Sequence, residues 1–185
     1  MRQPIWLLLL ACVLMLAGAA LQAPRESAAG ERRVRAAAMP TDYLLTDIAH
    51  YRRETWRWQA LMGVRRSPAG RVHDVRSPHY RRWVQSLWRK RAVEHRRRAY
   101  NPPHAGAWRC IQRHEGRWSD PNGPYYGGLQ MDLAFQQRYG GDLLSKKGTA
   151  DNWEPLEQMW VAERAYRAGR GFYAWPNTAR YCGLI

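Results

Sequence analysis

Apolar positions recur with helical spacing in two stretches of residues 41–101. The first begins after Thr41, which suits an N-cap, and Gly63 ends it. The second begins at Ser77-Pro78 and stops before Asn101-Pro102-Pro103. The apolar faces contain Leu45, Ile48, Tyr51, Thr55, Trp58 and Met62 in the first helix and Tyr80, Val84, Leu87 and Trp88 in the second. The pattern predicts an antiparallel helical hairpin, with its tryptophans serving mainly in packing.

A shorter apolar pattern follows the hairpin and leads to an acidic residue. Trp108, Ile111 and Glu115 share helical spacing, and Gly116 is suited to end the helix directly after Glu115. The next six residues, 119–124, are dense in turn-forming types, so the chain is expected to fold back there as a hairpin. This arrangement predicts a carboxyl group at a helix end, facing the returning segment.

Two further helices are predicted in the rest of the chain. A short one begins near Asp132 and ends at Gly140-Gly141, and a longer one begins at Pro155 with Gly169 beyond its end. Residues 104–185 are therefore expected to form a mainly helical domain with one turn-rich hairpin.

The N-terminal pattern is typical of an export signal. Residues 1–23 hold an early positive charge at Arg2, an apolar run of 17 positions from Ile5 to Leu21, and small residues beyond. The run is barely long enough to span a bilayer, so either a cleaved signal or an uncleaved anchor through residues 5–21 fits. Residues 24–40 have no periodic pattern and are interpreted as a linker.

The positive charge is concentrated in the middle of the chain. Of the formal net charge of +15, residues 31–107 contribute +12, whereas residues 108–185 contribute only +2. A solvated basic face is the default interpretation. Contact with an anionic wall polymer or a membrane surface suits an exported protein. Nucleic-acid binding fits the charge equally well, but no nucleic-acid partner is expected outside the cell.

Export also determines the expected state of the cysteines. Cys12 lies in the signal, which leaves Cys110 and Cys182 to pair as a disulfide in an oxidising compartment. The six histidines show no metal-ligand spacing, and the sequence has no glycine-rich phosphate loop and no nucleophile triad. We therefore expect neither a metal nor a cofactor.

The C-terminal motifs resemble the resuscitation-promoting-factor or transglycosylase-like family, which has a lysozyme-like fold. The resemblance covers roughly residues 107–185, and the run from Tyr125 to Gln130, Tyr-Tyr-Gly-Gly-Leu-Gln, is its most specific part. The other matching positions are Trp108, Cys110, Glu115, Trp118, Glu157-Gln158, Ala162-Glu163-Arg164, Ala174-Trp175-Pro176 and Cys182. The resemblance implies an α+β lysozyme-like class, mainly helical and stapled by the disulfide.

The resemblance also implies the site. Glu115 would be the catalytic acid, and the substrate-binding residues would be Tyr125, Tyr126, Gly128, Gln130 and Gln158. One departure is that the family places its Glu directly after the Cys, where this chain has Ile111. Four positions along a helix turn a side chain by only about 40° and advance it by about 6 Å, so Glu115 is expected to face the same cleft one turn further on.

These features predict an exported peptidoglycan-cleaving enzyme that acts on the β-1,4 bond of glycan strands at the cell wall. A single Glu favours a lytic transglycosylase over a two-carboxylate hydrolase, for which Asp120 and Asp132 are the only nearby candidates. Two alternatives remain open: a non-catalytic peptidoglycan-binding module of the same fold, and a basic helical interaction protein. The C-terminal domain, residues 104–185, is expected to fold without the basic helical hairpin of residues 41–101.

Overall fold

The computed structural model describes residues 24–70 and 77–185. Within these ranges the chain is mainly helical, as predicted, and it contains six α-helices and one short antiparallel strand pair. The elements are α1 (Pro24–Leu61), α2 (Pro78–Ala99), α3 (Ala105–Glu115), β1 (Tyr125–Tyr126), β2 (Met131–Asp132), α4 (Leu133–Lys147), α5 (Pro155–Ala165) and α6 (Pro176–Tyr181). A 3₁₀ turn at Ala150–Asn152 precedes α5, and a π-helical turn at Tyr166–Arg170 follows it.

The predicted signal or anchor in residues 1–23 lies outside the described residues. Among the helices of residues 24–70 and 77–185, none has both the length and the apolar character needed to cross a bilayer. Export therefore stays a prediction.

Helix α1 extends over the segment predicted to be a linker. The prediction placed a linker at residues 24–40, whereas α1 begins at Pro24 and ends at Leu61. The segment is rich in Ala, Arg and Glu, which have high intrinsic helix propensity even without an apolar stripe. The chain divides into two compact units within α1, Met1–Asp47 and Ile48–Ile185. No unit boundary falls near residues 101–104, where the sequence predicts one.

The predicted C-terminal ends of both basic helices and the predicted start of the second are confirmed, whereas the predicted start of the first after Thr41 is wrong, since Thr41 lies within α1. Gly63 follows α1 with a φ of 62°, a left-handed conformation that glycine adopts without strain. Ser77 caps α2, because its hydroxyl accepts a hydrogen bond from the Tyr80 N–H at 3.4 Å. Helix α2 ends at Ala99, ahead of the two prolines.

The contacts between α1 and α2 differ from those of an antiparallel hairpin. The C-terminal turns of α1 lie beside the C-terminal half of α2, since side chains pair Trp56 with Trp88, Gln59 with His95 and Trp58 with Tyr100. The chain after α1 folds back along it. The Trp56 indole N–H donates to the Ser67 carbonyl. The Gln59 amide nitrogen donates to the Ser67 hydroxyl, and the Gln59 amide oxygen accepts from the Ser67 N–H. Because the chain turns back along α1 before α2 begins, α2 runs in the same direction as α1 and passes its C-terminal end.

The packing role predicted for the tryptophans holds for Trp58 and Trp88, which are buried. It fails for Trp83, which is 57% exposed next to the exposed Tyr80. Both side chains lie on the outer face of α2.

Helix α5 joins the basic helices to the rest of residues 48–185. Trp160 is buried with Trp58, Met62 and Ala99, and its indole N–H donates to the Ala99 carbonyl at 2.7 Å. The Arg164 guanidinium donates to the carbonyls of Ala60 and Leu61 at 3.0 and 2.8 Å, which satisfies the C-terminal end of α1. Burial lowers the pKa of Arg164, an effect that Asp142 opposes. These contacts argue against the expectation that the C-terminal part folds without the basic helices.

Helices α3 to α6 surround the main core. Its fully buried residues include Trp108 and Ile111 of α3, Leu129 of the hairpin and Val161 of α5. Helix α4 does not end at Gly140-Gly141 as predicted but continues to Lys147 with a kink at Gly140. A Cβ at Gly140 would lie 2.7 Å from the Trp153 ring, so this glycine provides room for packing and does not end the helix.

The predicted disulfide between Cys110 and Cys182 is confirmed. It joins α3 to the residue that caps α6, and it closes a separation of 72 residues. The last helix is thereby attached covalently to the helix that ends at Glu115.

Removing the disulfide should destabilise the fold. Cys110→Ser should lower the free energy of unfolding by about 2–5 kcal/mol, because the chain-entropy model assigns about 4 kcal/mol to a loop of this length. Thermal unfolding with and without reductant measures the effect. Equal melting temperatures in the two conditions would contradict the prediction.

The cap on α1 should also contribute to stability. Arg164→Leu should lower the free energy of unfolding by about 2–4 kcal/mol, since it removes the guanidinium donor to the partly buried carbonyls of Leu61, Tyr139 and Ala60, of which Ala60 keeps its bond from the Gly63 N–H. Denaturant titration would measure this loss. Arg180→Leu, at an exposed position on α6, is the matched control and should change stability little.

Candidate active site

Glu115 is the last residue of α3, as predicted. The same helix buries Trp108 and Ile111 completely, whereas Glu115 is only partly buried. The position that carries the acid in the family that the sequence resembles is thus occupied here by a core residue. A carboxylate at position 111 would be sealed in the apolar interior, while one turn further on it reaches the surface.

The Glu115 carboxylate is held by a residue that sequence reasoning missed. The Thr178 hydroxyl of α6 donates to Glu115 Oε1 at 2.7 Å and lies 3.3 Å from the Trp175 carbonyl. A hydroxyl has one proton, and the shorter contact with the charged acceptor is the stronger one. Thr178 stands four residues before Cys182, on the same side of the last helix. The disulfide to α3 was therefore a signal that could have identified it.

The backbone after Glu115 lies against Gln130. Gly116 is fully extended, and a Cβ there would stand 3.0 Å from Gln130 Nε2 and 3.2 Å from Asp120 Oδ2. The Gln130 amide donates to Asp120 Oδ2 at 3.1 Å and to the Gly127 carbonyl at 3.0 Å. Gln130 itself adopts a φ of 48°, which is unusual for a residue with a side chain. Gly116 therefore permits a close approach between the acid-bearing helix and the returning hairpin.

Both candidate second carboxylates have structural hydrogen bonds. Asp120 Oδ1 accepts from the N–H and the amide of Asn122, and its other oxygen accepts from Gln130. Asp132 caps α4 by accepting from the Phe135 N–H at 2.6 Å. Each is oriented by its own loop or helix.

The predicted tyrosines lie on the hairpin strand. Tyr125 pairs with Asp132 and Tyr126 with Met131, so the two rings point to opposite faces. Tyr126 packs on the core, and Tyr125 is half exposed. A shallow groove of about 90 Å³ is lined by Tyr125, Gln130, Asp132, Phe135, Arg170 and Trp175. Thr178 links Glu115 to this groove, because its hydroxyl contacts both Glu115 Oε1 and the carbonyl of Trp175, which lines the groove.

Gln158 and Gly128 have packing roles, contrary to the prediction that they bind substrate. Gln158 is fully buried, and its Oε1 accepts from the Gly128 N–H at 2.9 Å. Its amide nitrogen, which has two protons to donate, lies 2.7, 2.8 and 3.1 Å from the carbonyl oxygens of Trp118, Ala150 and Trp153. A Cβ at Gly128 would lie 2.9 Å from the Trp118 ring. The small residues of the motif make room for protein groups, and Gln158 fixes the loop that leads to Gln130.

One cluster among the described residues has metal-ligand types. Ligand atoms of Cys110, His114 and Cys182 lie within 4.8 Å of one another. The two sulfurs are bonded to each other, so neither is the thiolate that a metal requires. The cluster therefore receives no metal assignment in the oxidised protein.

No family model, curated protein or solved structure matches the chain. The resemblance described above therefore rests on the residues that carry it, chiefly the run from Tyr125 to Gln130. The activity that this resemblance implies remains a proposal.

The packing role of Gln158 can be tested by stability. Gln158→Met keeps the length of the side chain but removes the acceptor of the Gly128 N–H and the donor to the Trp118 and Trp153 carbonyls, while the Ala150 carbonyl keeps its bond from the Trp153 N–H, so the free energy of unfolding should fall by about 2–4 kcal/mol. Chemical denaturation provides the measurement, with the exposed Gln137→Met of α4 as the control. If Gln158→Met retains full stability, the buried network is not what fixes the loop.

Proposed function

We propose that this protein is an exported enzyme that cleaves the β-1,4 glycosidic bond of peptidoglycan, with a lysozyme-like C-terminal region. The observation that carries the proposal is the setting of Glu115: a partly buried carboxylate oriented by Thr178, next to the hairpin that bears the Tyr-Tyr-Gly-Gly-Leu-Gln motif. The half-exposed Tyr125 offers an aromatic surface to the apolar face of a sugar. Secretion to the cell wall is part of the same proposal.

In this proposal Glu115 is the only proton donor in the reaction. Its Oε1 is engaged by Thr178, which leaves Oε2 to carry the proton that is transferred to the leaving glycosidic oxygen. Once ionised, the carboxylate keeps the Thr178 hydrogen bond, which stabilises its charge. It can then accept the proton of the sugar's own 6-hydroxyl as that oxygen attacks the anomeric carbon, which yields an anhydro sugar.

A lytic transglycosylase is favoured over a two-carboxylate hydrolase. A hydrolase needs a second carboxylate as nucleophile or as base for water. Asp120 accepts three hydrogen bonds from Asn122 and Gln130, and Asp132 caps a helix. These bonds support a structural role for both, so a one-carboxylate mechanism fits the site better.

A non-catalytic peptidoglycan-binding module is the second candidate. It is favoured by the small size of the groove, about 90 Å³, because ligand pockets usually enclose several hundred Å³. In that case Tyr125 and Gln130 would bind glycan at the open surface, and Glu115 would be a polar residue of the rim.

Mutation of Glu115 separates these functions. Glu115→Gln keeps the side-chain shape and removes the titratable proton, so release of soluble fragments from purified peptidoglycan should fall by at least about 10²–10⁴-fold while wall binding survives. Mass spectrometry of the fragments measures both the loss and whether the wild-type product is an anhydro or a reducing sugar.

Several controls accompany this experiment. Glu54→Gln makes the same change on α1, where Glu54 pairs with Arg57 at the surface, and should leave activity unchanged. Asp120→Asn should have a smaller effect than Glu115→Gln, and equal loss would favour a two-carboxylate hydrolase. A fully active Glu115→Gln protein would refute the catalytic role, and wild-type protein that binds walls without releasing fragments would establish the binding module.

A further inference from the structure

A second cavity lies away from Glu115. Its volume is about 650 Å³, it is partly open to solvent, and it is lined by the C-terminal ends of α1 and α2, the segments that follow them, and α5 with the turn after it. This volume is within the range of pockets that hold small molecules, about 300–1,000 Å³. All its lining residues belong to the compact unit Ile48–Ile185.

The lining of this cavity is strongly cationic. It contains four arginines, Arg65, Arg97, Arg98 and Arg167, and no acidic residue. Arg97 and Arg98 share the single carboxylate of Glu94, which lies outside the lining, and within residues 24–70 and 77–185 the Arg65 side chain forms no hydrogen bond or ion pair. Among the residues that the structure describes, the cavity therefore keeps an excess of positive charge that neighbouring carboxylates do not neutralise.

Two of the surrounding groups are held in place before any ligand binds. Arg167 donates to the Met62 and Glu163 carbonyls and lies over the Trp160 ring, so its guanidinium is fixed at the cavity wall. His95 accepts a hydrogen bond from the Gln59 amide, which the Ser67 N–H orients. Burial and the nearby Arg98 lower the pKa of His95. The wall is preorganised, and its electrostatics favour an anion.

The number of arginines indicates the kind of anion. A carboxylate carries one charge, which one guanidinium can match. A phosphate ester carries about 1.5–2 negative charges at neutral pH and three acceptor oxygens, which suit several guanidinium groups. The cavity is much larger than a phosphate, and Met62, Val64 and Trp160 supply apolar wall for the remainder of the ligand.

We propose that this cavity binds a phosphate ester. Arg65, Arg98 and Arg167 hold the phosphate, and the uncharged part of the ester lies against Met62, Val64 and Trp160. The site does not depend on Glu115 and would operate equally in an enzyme or in a binding module. It also gives the basic helices a specific function beyond a diffuse surface charge.

A pair of charge-matched double variants of the full chain tests the proposal. Arg65→Gln/Arg98→Gln removes two cavity arginines, whereas Arg82→Gln/Arg109→Gln removes two exposed arginines outside the cavity. Titration calorimetry with glycerol 3-phosphate should show an affinity lowered by about tenfold or more in the cavity variant and little changed in the control. The reason is that losing a hydrogen bond to a charged group typically weakens binding by about tenfold. The His95 ring signals in NMR spectra should move on addition of the ester to wild-type protein.

A second arm identifies the source of the phosphate. Binding to phosphatidylcholine vesicles is measured with and without phosphatidic acid. The same cavity-specific loss with phosphatidic acid vesicles, but no binding of glycerol 3-phosphate, would support the site and assign the phosphate to a lipid headgroup. Equal losses in the two double variants would overturn the proposal, as would a wild-type protein that binds neither probe.

Discussion

The bond between Cys110 and Cys182 determines where the last helix lies, and the candidate site depends on it. Helix α6 has only six residues and buries little apolar surface of its own. Its attachment to α3 keeps Thr178 within 2.7 Å of Glu115 and Trp175 beside the groove. Because the disulfide restrains the unfolded chain, it stabilises an arrangement that the small core alone would hold weakly.

Long polar side chains also stabilise the fold, through hydrogen bonds to backbone groups of neighbouring elements. Gln158 satisfies backbone groups from the hairpin loop and the 3₁₀ turn, and Arg164 satisfies the end of α1. The buried Glu163 carboxylate accepts from the His104 N–H and the Trp108 indole, which anchors the start of α3. Irregular segments cannot pair their own polar groups, so a small domain needs such side chains in its interior. Three of the residues that resemble family motifs thus support the fold.

The sequence predicted features that depend on local chemistry. Proline at a first helical position, Ser77 as a cap, and glycine after α1 all act within a few residues, and each matches the structure. The course of α2 past α1 and the burial of Gln158 depend on distant contacts, which no local pattern records. Gly140 shows the same limit, because its neighbour Trp153 is remote in sequence, and a helix-ending signal looks identical to a packing glycine. Thr178 was predictable only through the disulfide.

The two proposed sites have opposite electrostatic requirements, and the uneven charge of the chain matches them. A carboxyl group that must give up and regain a proton works best without a strong positive field, since nearby cations stabilise its ionised form. The residues from 108 onward are nearly neutral, and Glu115 is held by the uncharged Thr178. A phosphate site requires the reverse, and the cavity obtains two of its four arginines from α2, one from the segment after α1 and one from the turn after α5. Helix α5 contacts the basic helices through Trp160 and Arg164 and the hairpin loop through Gln158, so both environments are built on one rigid element.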